Sequence, residues 1–91
     1  MRFDWDPNKA ARNLSRHSVS FAEAATVFDD VLGWAFFDPD HSQDEDRFLT
    51  IGMSNTGRLL IVSYTESADD VRIISAREVT RRERKDYESL H

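Results

Sequence analysis

The chain has 91 residues, of which 40% are hydrophobic and 32% are charged, with a formal net charge of -5. This length predicts a single domain over residues 1–91, because two separate hydrophobic cores would each be too small to be stable. The acidic balance argues against non-specific coating of nucleic acid, and the absence of cysteine excludes disulfides, thiolate metal sites and cysteine nucleophiles.

The N-terminal residues predict a short strand followed by a helix. Residues 1–5 alternate weakly between polar and apolar, as in a strand. Asp6 is a favourable helix N-cap, and Pro7 suits the first helical position because its missing N–H costs nothing there. The helix is expected to run from about Pro7 to Arg16. Its predicted buried stripe consists of Ala10, Leu14 and His17.

A second helix is predicted from about Phe21 to Asp29. Ser20 and Glu23 have the spacing of a capping box, in which the hydroxyl accepts from one backbone N–H and the carboxylate from another. The predicted core side of this helix carries Phe21, Ala24, Ala25, Phe28 and then Leu32. Gly33 is expected in the turn that follows.

A short strand is predicted from Trp34 to Phe37, and Asp38-Pro39 ends it. The residues that follow, DPDHSQDED, are polar and acidic. Their carboxylates and single imidazole resemble a metal site at first sight, but the spacing matches no EF-hand loop. We therefore expect a solvated acidic loop and no metal.

A β-hairpin is predicted next. Residues 47–54 alternate in hydrophobicity, and Asn55-Thr56-Gly57 supplies a turn in which Gly57 can adopt a positive φ. The return strand is expected over residues 58–65. Its run from Leu59 to Val62 is continuously apolar, which predicts a central strand covered on both faces.

The segment from Arg72 to Tyr87 predicts a strand that leads directly into an arginine-rich helix. A regular strand would place Val71, Ile73 and Ser75 on one face and Arg72, Ile74 and Ala76 on the other. Thr80 and Glu83 form a capping-box pattern that begins the helix. Six of the twelve basic residues lie between Arg72 and Lys85, which predicts an anionic partner. The element order β-α-α-β-β-β-β-α predicts an α+β fold with an antiparallel meander.

Three blocks of the sequence resemble the BrnT family of type II toxin–antitoxin systems. They are FDWDPNKAARNLSRHSVSFAEAATVF, DEDRFLTIGMSNTGRLLIVSYT and RIISAREVTRRERKDYE, in this order over about residues 3–88. The resemblance implies a single-domain RelE-like fold and a metal-independent ribonuclease toxin that arrests translation. It also implies neutralisation by a BrnA-type antitoxin, whose ribbon-helix-helix segment binds DNA so that the complex represses its own operon.

One departure from similar sequences lies at the end of the first helix. Those sequences usually have a lysine before the histidine and a glycine after it, whereas this chain has Arg16 before His17 and Ser18 after it. The positive charge is kept, but glycine is lost where a helix often ends in a left-handed residue. A different exit from the helix is therefore expected.

Cleavage of RNA without a metal needs cations to stabilise the charge on phosphorus, and arginine suits this role because its planar fork can bind two phosphoryl oxygens. The candidates are Arg47, Arg72 and Arg77. Arg72 and Arg77 are five positions apart and would point to opposite faces of a regular strand. Arg77 is the better phosphate ligand, and Arg72 the better partner for a carboxylate. Solvated or ion-paired side chains are expected for Arg81, Arg82, Arg84 and Lys85.

Proton transfer has three main candidates, each with a structural alternative. His17 has the natural acidity for the task but could simply interact with the end of its helix. Glu45 would share a face with Arg47 if the strand extends that far, yet such a pair is often a plain ion pair. Glu83 could act as an acid or base, or only as a helix cap. Tyr64 and Tyr87 are weaker candidates, and Tyr87 is expected to be a packed ring.

A second interpretation keeps the fold without the chemistry. The chain would then be a toxin-like binding module that holds the antitoxin and tunes repression of the operon, which its acidic net charge leaves open. Neither interpretation requires a cofactor. No apolar run approaches the ~18 residues of a membrane span, and the N-terminus MRFDWD lacks the basic-then-apolar order of a signal peptide. We expect a cytoplasmic protein with no membrane partner.

Overall fold

The computed structural model describes residues 1–90 as a five-stranded mixed sheet with helices on both faces. The strands are β1 (Arg2–Asp4), β2 (Trp34–Phe37), β3 (Phe48–Met53), β4 (Leu59–Ser67) and β5 (Asp70–Glu78). The helices are α1 (Pro7–His17), α2 (Phe21–Thr26) and α3 (Arg81–Ser89). Short 3₁₀ turns follow α2 and β2, at Val27–Asp29 and Pro39–His41. The predicted elements and their order are confirmed.

The strand order across the sheet is β1-β5-β4-β3-β2. Strands β2 to β5 form the predicted antiparallel meander, and β1 pairs in parallel with the outer side of β5. Strand β4 is central, as its continuous apolar run predicted, and Leu59 to Val62 are all buried. The Asn55-Thr56-Gly57 turn joins β3 to β4, with Gly57 at φ 83°. The α+β class is therefore confirmed.

The larger hydrophobic core lies between the sheet and the helices α1 and α2. Phe21, Ala24 and Val27 pack there against alternate residues of the central strands, which are Leu60, Val62, Tyr64, Val71, Ile73 and Ala76. Trp5 meets Phe21 edge-on with 6.0 Å between ring centroids. The other face of the sheet carries a smaller cluster, in which Tyr87 of α3 packs with Ile51, Leu59 and Ile61.

The buried stripe of α1 differs from the prediction. Leu14 is 53% exposed, whereas Asn13, which lies outside the predicted stripe, is only 6% exposed. The Asn13 amide N–H donates to the carbonyls of Val19 (2.9 Å) and Ala76 (2.8 Å), and its oxygen accepts from the Ala76 N–H (3.0 Å). Strand β1 covers only residues 70–72 of β5. The Asn13 side chain therefore takes the place of a neighbouring strand at Ala76, which a hydrophobicity pattern cannot detect.

The predicted core side of the second helix is also wrong in part. Val27 is fully buried although it was not on the predicted core side, and Leu32 is exposed because the chain has already turned towards β2. The Ser20 hydroxyl accepts from the Glu23 N–H at 3.0 Å, as predicted. The Glu23 carboxylate does not complete the capping box. It binds the β3–β4 hairpin instead, accepting from Arg58 Nε (3.0 Å) and from the hydroxyls of Ser54 and Thr56.

A β-bulge in β5 overturns the predicted division of its faces. Ser63 pairs with Ser75 but Tyr64 pairs with Ile73, so Ile74 has no partner on β4. The extra residue shifts the alternation by one. Ala76 consequently shares the α1–α2 face with Val71 and Ile73, and Arg77 lies on the same face as Arg72 rather than on the opposite one.

Helix α1 ends at His17 and is followed by a left-handed residue, the conformation that glycine commonly adopts after a helix. Ser18 adopts the left-handed conformation itself, with φ 57° and ψ 31°, and its N–H donates to the Leu14 carbonyl at 3.0 Å. A non-glycine residue there costs about 1 kcal/mol or more. The prediction that the chain leaves the helix differently is therefore wrong, because Ser18 adopts the strained left-handed conformation.

Helix α3 is fixed at both ends. At its start, the Thr80 hydroxyl accepts from the Glu83 N–H (3.2 Å) and the Glu83 carboxylate accepts from the Thr80 N–H (2.8 Å), so the predicted capping box is confirmed. Near its end, the buried Tyr87 ring donates its hydroxyl to Asp30 at 2.8 Å. Burial, followed by the Asp30 carboxylate, raises the pKa of Tyr87 to about 12. Among residues 1–90, none of the helices combines the length and hydrophobicity needed to cross a membrane.

Candidate active site

An open cavity of about 700 Å³ lies against the face of the sheet that carries α3. Its apolar lining comes mainly from alternate residues of β2, β3 and β4, namely Phe36, Leu49, Ile51 and Ile61. Its ionisable lining comprises His17, Asp38, His41, Arg47, Arg77, Glu83 and Asp86. An apolar floor with a few convergent polar groups is the usual form of a binding site.

Four of the five predicted site residues line this cavity, although they come from distant parts of the chain. His17 reaches it from the end of α1, Arg47 from the residue before β3, Arg77 from β5, and Glu83 from the first turn of α3. The fifth, Glu45, does not line it. Because β3 begins only at Phe48, Glu45 lies in the exposed loop and borders a smaller cavity of about 250 Å³. The strand does not extend to Glu45, so the condition for a face shared with Arg47 is not met.

Arg77 is already paired within the protein. Its Nη1 and Nη2 donate to Oε1 and Oε2 of Glu83 at 2.8 and 2.9 Å, and Nη1 also donates to the Glu78 carbonyl at 3.1 Å. The hydrogen bond from Arg77 is the main cause that lowers the pKa of Glu83 to about 2, and the same bond raises the pKa of Arg77. The pair connects β5 to α3, and its carboxylate is a weakened base.

Arg47 is different, because its guanidinium has no partner among residues 1–90. Its Nε is buried and makes no hydrogen bond, and no carboxylate of the described chain lies within ion-pair distance. A buried donor on a cation is costly unless something accepts from it. The lining of the cavity therefore contains an unsatisfied cation, which favours an anionic ligand.

The loop between β2 and β3 contributes a pair of residues that sequence reasoning assigned only to a solvated segment. The Asp38 side chain is 12% exposed, and its Oδ2 lies 2.8 Å from Nδ1 of His41. The ends of the loop are joined, since the Asp38 N–H donates to the Arg47 carbonyl at 2.9 Å and the Arg47 N–H donates to the Ser42 hydroxyl at 2.9 Å. The signal in the sequence was a histidine three residues after a proline-preceding aspartate.

A basic groove adjoins the cavity. It is lined by Lys9, Arg12, Asn13 and Arg16 of α1, together with His17, Ile74 and Ser75, and the last three residues also line the larger cavity. Within residues 1–90, the three cations of α1 form no ion pair with a carboxylate. The groove and the cavity are thus neighbouring parts of one surface that carries positive charge on an acidic protein.

The other basic candidates lie away from the cavity or on its exposed surroundings. Arg72 forms an ion pair with Asp4 of β1, which agrees with its predicted role as a carboxylate partner. The helical cations are exposed, as expected, and are Arg81, Arg82, Arg84 and Lys85. In the part of the chain that the structure describes, no three or more potential ligand side chains are grouped so as to hold a metal ion.

The two carboxylates with strongly lowered pKa values predict acid-sensitive stability. The pKa of Glu83 and that of Glu23, where Arg58 is the main cause, fall from 4.5 to about 2 on folding. Because the folded pKa is the lower one, both groups contribute stability above about pH 4.5 and lose it as the pH falls towards 2. We expect the free energy of unfolding, measured in urea, to decrease across that window. Glu23→Gln should flatten the decrease, whereas Glu88→Gln, at an exposed site, should not.

The chain is similar to one family of known proteins. The family described as "Ribonuclease toxin, BrnT, of type II toxin-antitoxin system" matches residues 5–83. The crystal structure of the Brucella abortus ribonuclease toxin BrnT is similar with a TM-score of 0.64 and 23% sequence identity, and the match covers 89% of this chain and 99% of that one. At that identity the likeness establishes the fold alone. No curated protein sequence matches.

Proposed function

The chain belongs to the BrnT family of ribonuclease toxins of type II toxin–antitoxin systems, and from this premise we propose that it cleaves RNA without a metal ion and thereby arrests translation in the cytoplasm. The activity is of the RelE-like kind, in which the RNA 2′-hydroxyl attacks the neighbouring phosphorus. Residues 1–91 form the single toxin domain. The observation that carries the proposal is the unpartnered guanidinium of Arg47 in the lining of the cavity.

The arginines divide the work on the phosphate. Arg47 binds the phosphoryl oxygens, because its donors have no other acceptor among residues 1–90. Arg77 adds positive charge from β5, and Glu83 holds the Arg77 fork in place through two hydrogen bonds. The basic groove of α1 receives the flanking RNA backbone, since phosphate contacts position nucleic acid without reading its sequence.

Proton transfer falls to groups near the phosphate. His17 lines both the cavity and the basic groove, which supports a role between the reacting bond and the incoming backbone. It is the candidate for donating a proton to the leaving 5′-oxygen. Glu45 borders the smaller cavity beside Arg47 and is an alternative base. Glu83 remains a candidate, but its pairing with Arg77 makes it less basic.

The antitoxin is a BrnA-like protein with a ribbon-helix-helix segment, through which the complex binds DNA. The free edge of the sheet supports a protein partner, since β2 pairs only with β3 and carries exposed apolar side chains. Those side chains are Trp34 and Phe37, preceded by Val31 and Leu32. Open apolar edges commonly need cover. A neighbouring reading frame that encodes a ribbon-helix-helix pattern would support this partner.

The proposal predicts that the purified, antitoxin-free protein cleaves RNA in the presence of EDTA. The products should end in a 2′,3′-cyclic phosphate and a 5′-hydroxyl, because the 2′-hydroxyl is the nucleophile. An oligonucleotide of the same sequence made entirely of deoxynucleotides should stay intact. Gel electrophoresis of end-labelled substrate measures both results.

Two outcomes would contradict the proposal. Cleavage that stops in EDTA and returns with a divalent cation would show that the reaction needs a metal. No cleavage of any RNA would instead support the alternative function, a non-catalytic toxin-like module that acts with the antitoxin in repressing the operon. The exposed edge of β2 is the observation that favours this second candidate.

A further inference from the structure

The geometry points to His41, held by Asp38, as the general base that takes the proton from the attacking 2′-hydroxyl. This inference rests on the proposed ribonuclease activity and adds a catalytic residue to it. His41 lines the same cavity as Arg47 and His17. Its side chain is 66% exposed, so a substrate can reach the ring.

The hydrogen bond to Asp38 decides which ring nitrogen can act as a base. An ionised carboxylate only accepts hydrogen bonds, so Nδ1 of His41 must carry the proton that it shares with Asp38 Oδ2 over 2.8 Å. The neutral ring then has its lone pair on Nε2. A carboxylate behind the imidazole fixes this tautomer and stabilises the imidazolium that forms when Nε2 accepts a proton. Asp38 is therefore a positioning residue.

The loop that carries the dyad is tied to the phosphate-binding residue. The Asp38 N–H donates to the Arg47 carbonyl at 2.9 Å, and Ser42 accepts from the Arg47 N–H at 2.9 Å. The Ser42 hydroxyl also donates to the Asp38 carbonyl. These bonds hold the loop residues next to Arg47 at the edge of the cavity, which keeps the base close to the phosphate.

Other charged groups surround the two cavities that His41 borders. Those of its own loop are Asp40, Asp44, Glu45 and Arg47, and those across the larger cavity are His17, Arg77, Glu83 and Asp86. Only Asp38 forms an ion pair with the His41 ring among residues 1–90.

Two imidazoles account for both proton transfers in the reaction. The bond from O2′ to phosphorus forms as Nε2 of His41 takes the 2′-proton. The bond from phosphorus to O5′ breaks as the protonated ring of His17 gives a proton to O5′. Arg47 stabilises the charge on the phosphoryl oxygens in between. The products are the 2′,3′-cyclic phosphate and the 5′-hydroxyl, and the two rings end in exchanged protonation states.

The test measures cleavage of a labelled RNA by His41→Gln and Asp38→Asn across a range of pH. His41→Gln is expected to lower the rate by about 10²- to 10⁴-fold and to remove the acidic limb of the pH–rate profile, which reports deprotonation of the base. Asp38→Asn is expected to lower it by at least about ten-fold, because an amide can donate to Nδ1 and so place the proton on Nε2. Its remaining acidic limb should move to lower pH, since a neighbouring negative charge is gone.

Asp44→Asn is the matched control, with the same change of charge in the same loop and no bond to the ring, and it should cleave like the wild type. Thermal unfolding should show that all variants remain folded. If His41→Gln cleaves as fast as the wild type and keeps the acidic limb, the inference is wrong while the proposed function stands. If the wild type itself cleaves no RNA, the proposed function fails and this inference fails with it.

Discussion

Arg47→Ala is expected to lower the rate of RNA cleavage by about 10³-fold while leaving the protein folded, because the wild-type guanidinium stabilises charge that develops in the transition state. The side chain makes no hydrogen bond or ion pair with residues 1–90, so its removal breaks no polar contact of the fold. Removing an unsatisfied buried donor relieves a cost instead. We expect an unchanged or slightly higher melting temperature. Single-turnover cleavage assays and thermal unfolding measure the two effects.

Two further variants sharpen this test. Arg47→Lys keeps the charge but loses the planar fork, so an intermediate rate is expected. Arg81→Ala removes an equally charged but exposed side chain on α3 and should cleave like the wild type. Arg47→Ala with full activity would show that the phosphate binds elsewhere. Loss of activity with a lowered melting temperature would assign Arg47 a structural role.

Arg77→Ala should behave differently from Arg47→Ala. Arg77 binds Glu83 through both of its terminal nitrogens, and Glu83 in turn caps α3. Its removal therefore weakens the attachment of the helix as well as the site, and a loss of activity alone could not be assigned to chemistry. The residue that the sequence favoured as the phosphate ligand is the less informative one to mutate.

Local signals in the sequence were sufficient for most of the fold. The Asp6-Pro7 start, the Asn55-Thr56-Gly57 turn and the Thr80–Glu83 capping box each depend on neighbouring residues, and each is present in the structure. The central position of β4 followed from its unbroken apolar run, because only a strand covered on both faces can bury such a run. These features need no knowledge of distant contacts.

The features that sequence reasoning missed depend on distant contacts. The bulge at Ile74 is visible only in the pairing of β4 with β5, and it reverses the face on which Arg77 lies relative to the predicted alternation. Whether an arginine is free or paired also depends on the fold. The sequence could not reveal that Glu83 forms an ion pair with Arg77 while Arg47 has no partner among residues 1–90.

The placement of the site follows from the same long-range contacts. Four of the five predicted site residues meet because β5, α3, the loop before β3 and the end of α1 all border one cavity. The dyad of Asp38 and His41 was hidden by its acidic neighbours, whose composition indicated only a solvated loop. Composition describes the average of a segment, whereas chemistry depends on which two side chains the backbone brings together.

Asn13→Ala is expected to cause the largest loss of stability of the single substitutions considered, about 3–5 kcal/mol. The Asn13 amide satisfies three buried backbone groups, which are the carbonyls of Val19 and Ala76 and the N–H of Ala76. Alanine would leave these three groups without hydrogen-bond partners. A neighbouring strand would have no room there to replace the lost amide. A loss of this size is a large part of the stability of a small domain. Urea unfolding monitored by tryptophan fluorescence measures it.

Asn8→Ala is the matched control, because it makes the same substitution on the same helix at an exposed position. Its effect on the free energy of unfolding should stay within about 0.5 kcal/mol. A small effect of Asn13→Ala on the free energy of unfolding would mean that water replaces the amide. The backbone groups of Ala76 would then not depend on the Asn13 side chain. A large effect would show that one polar side chain attaches α1 to the sheet, and with it the His17 end of the helix at the cavity.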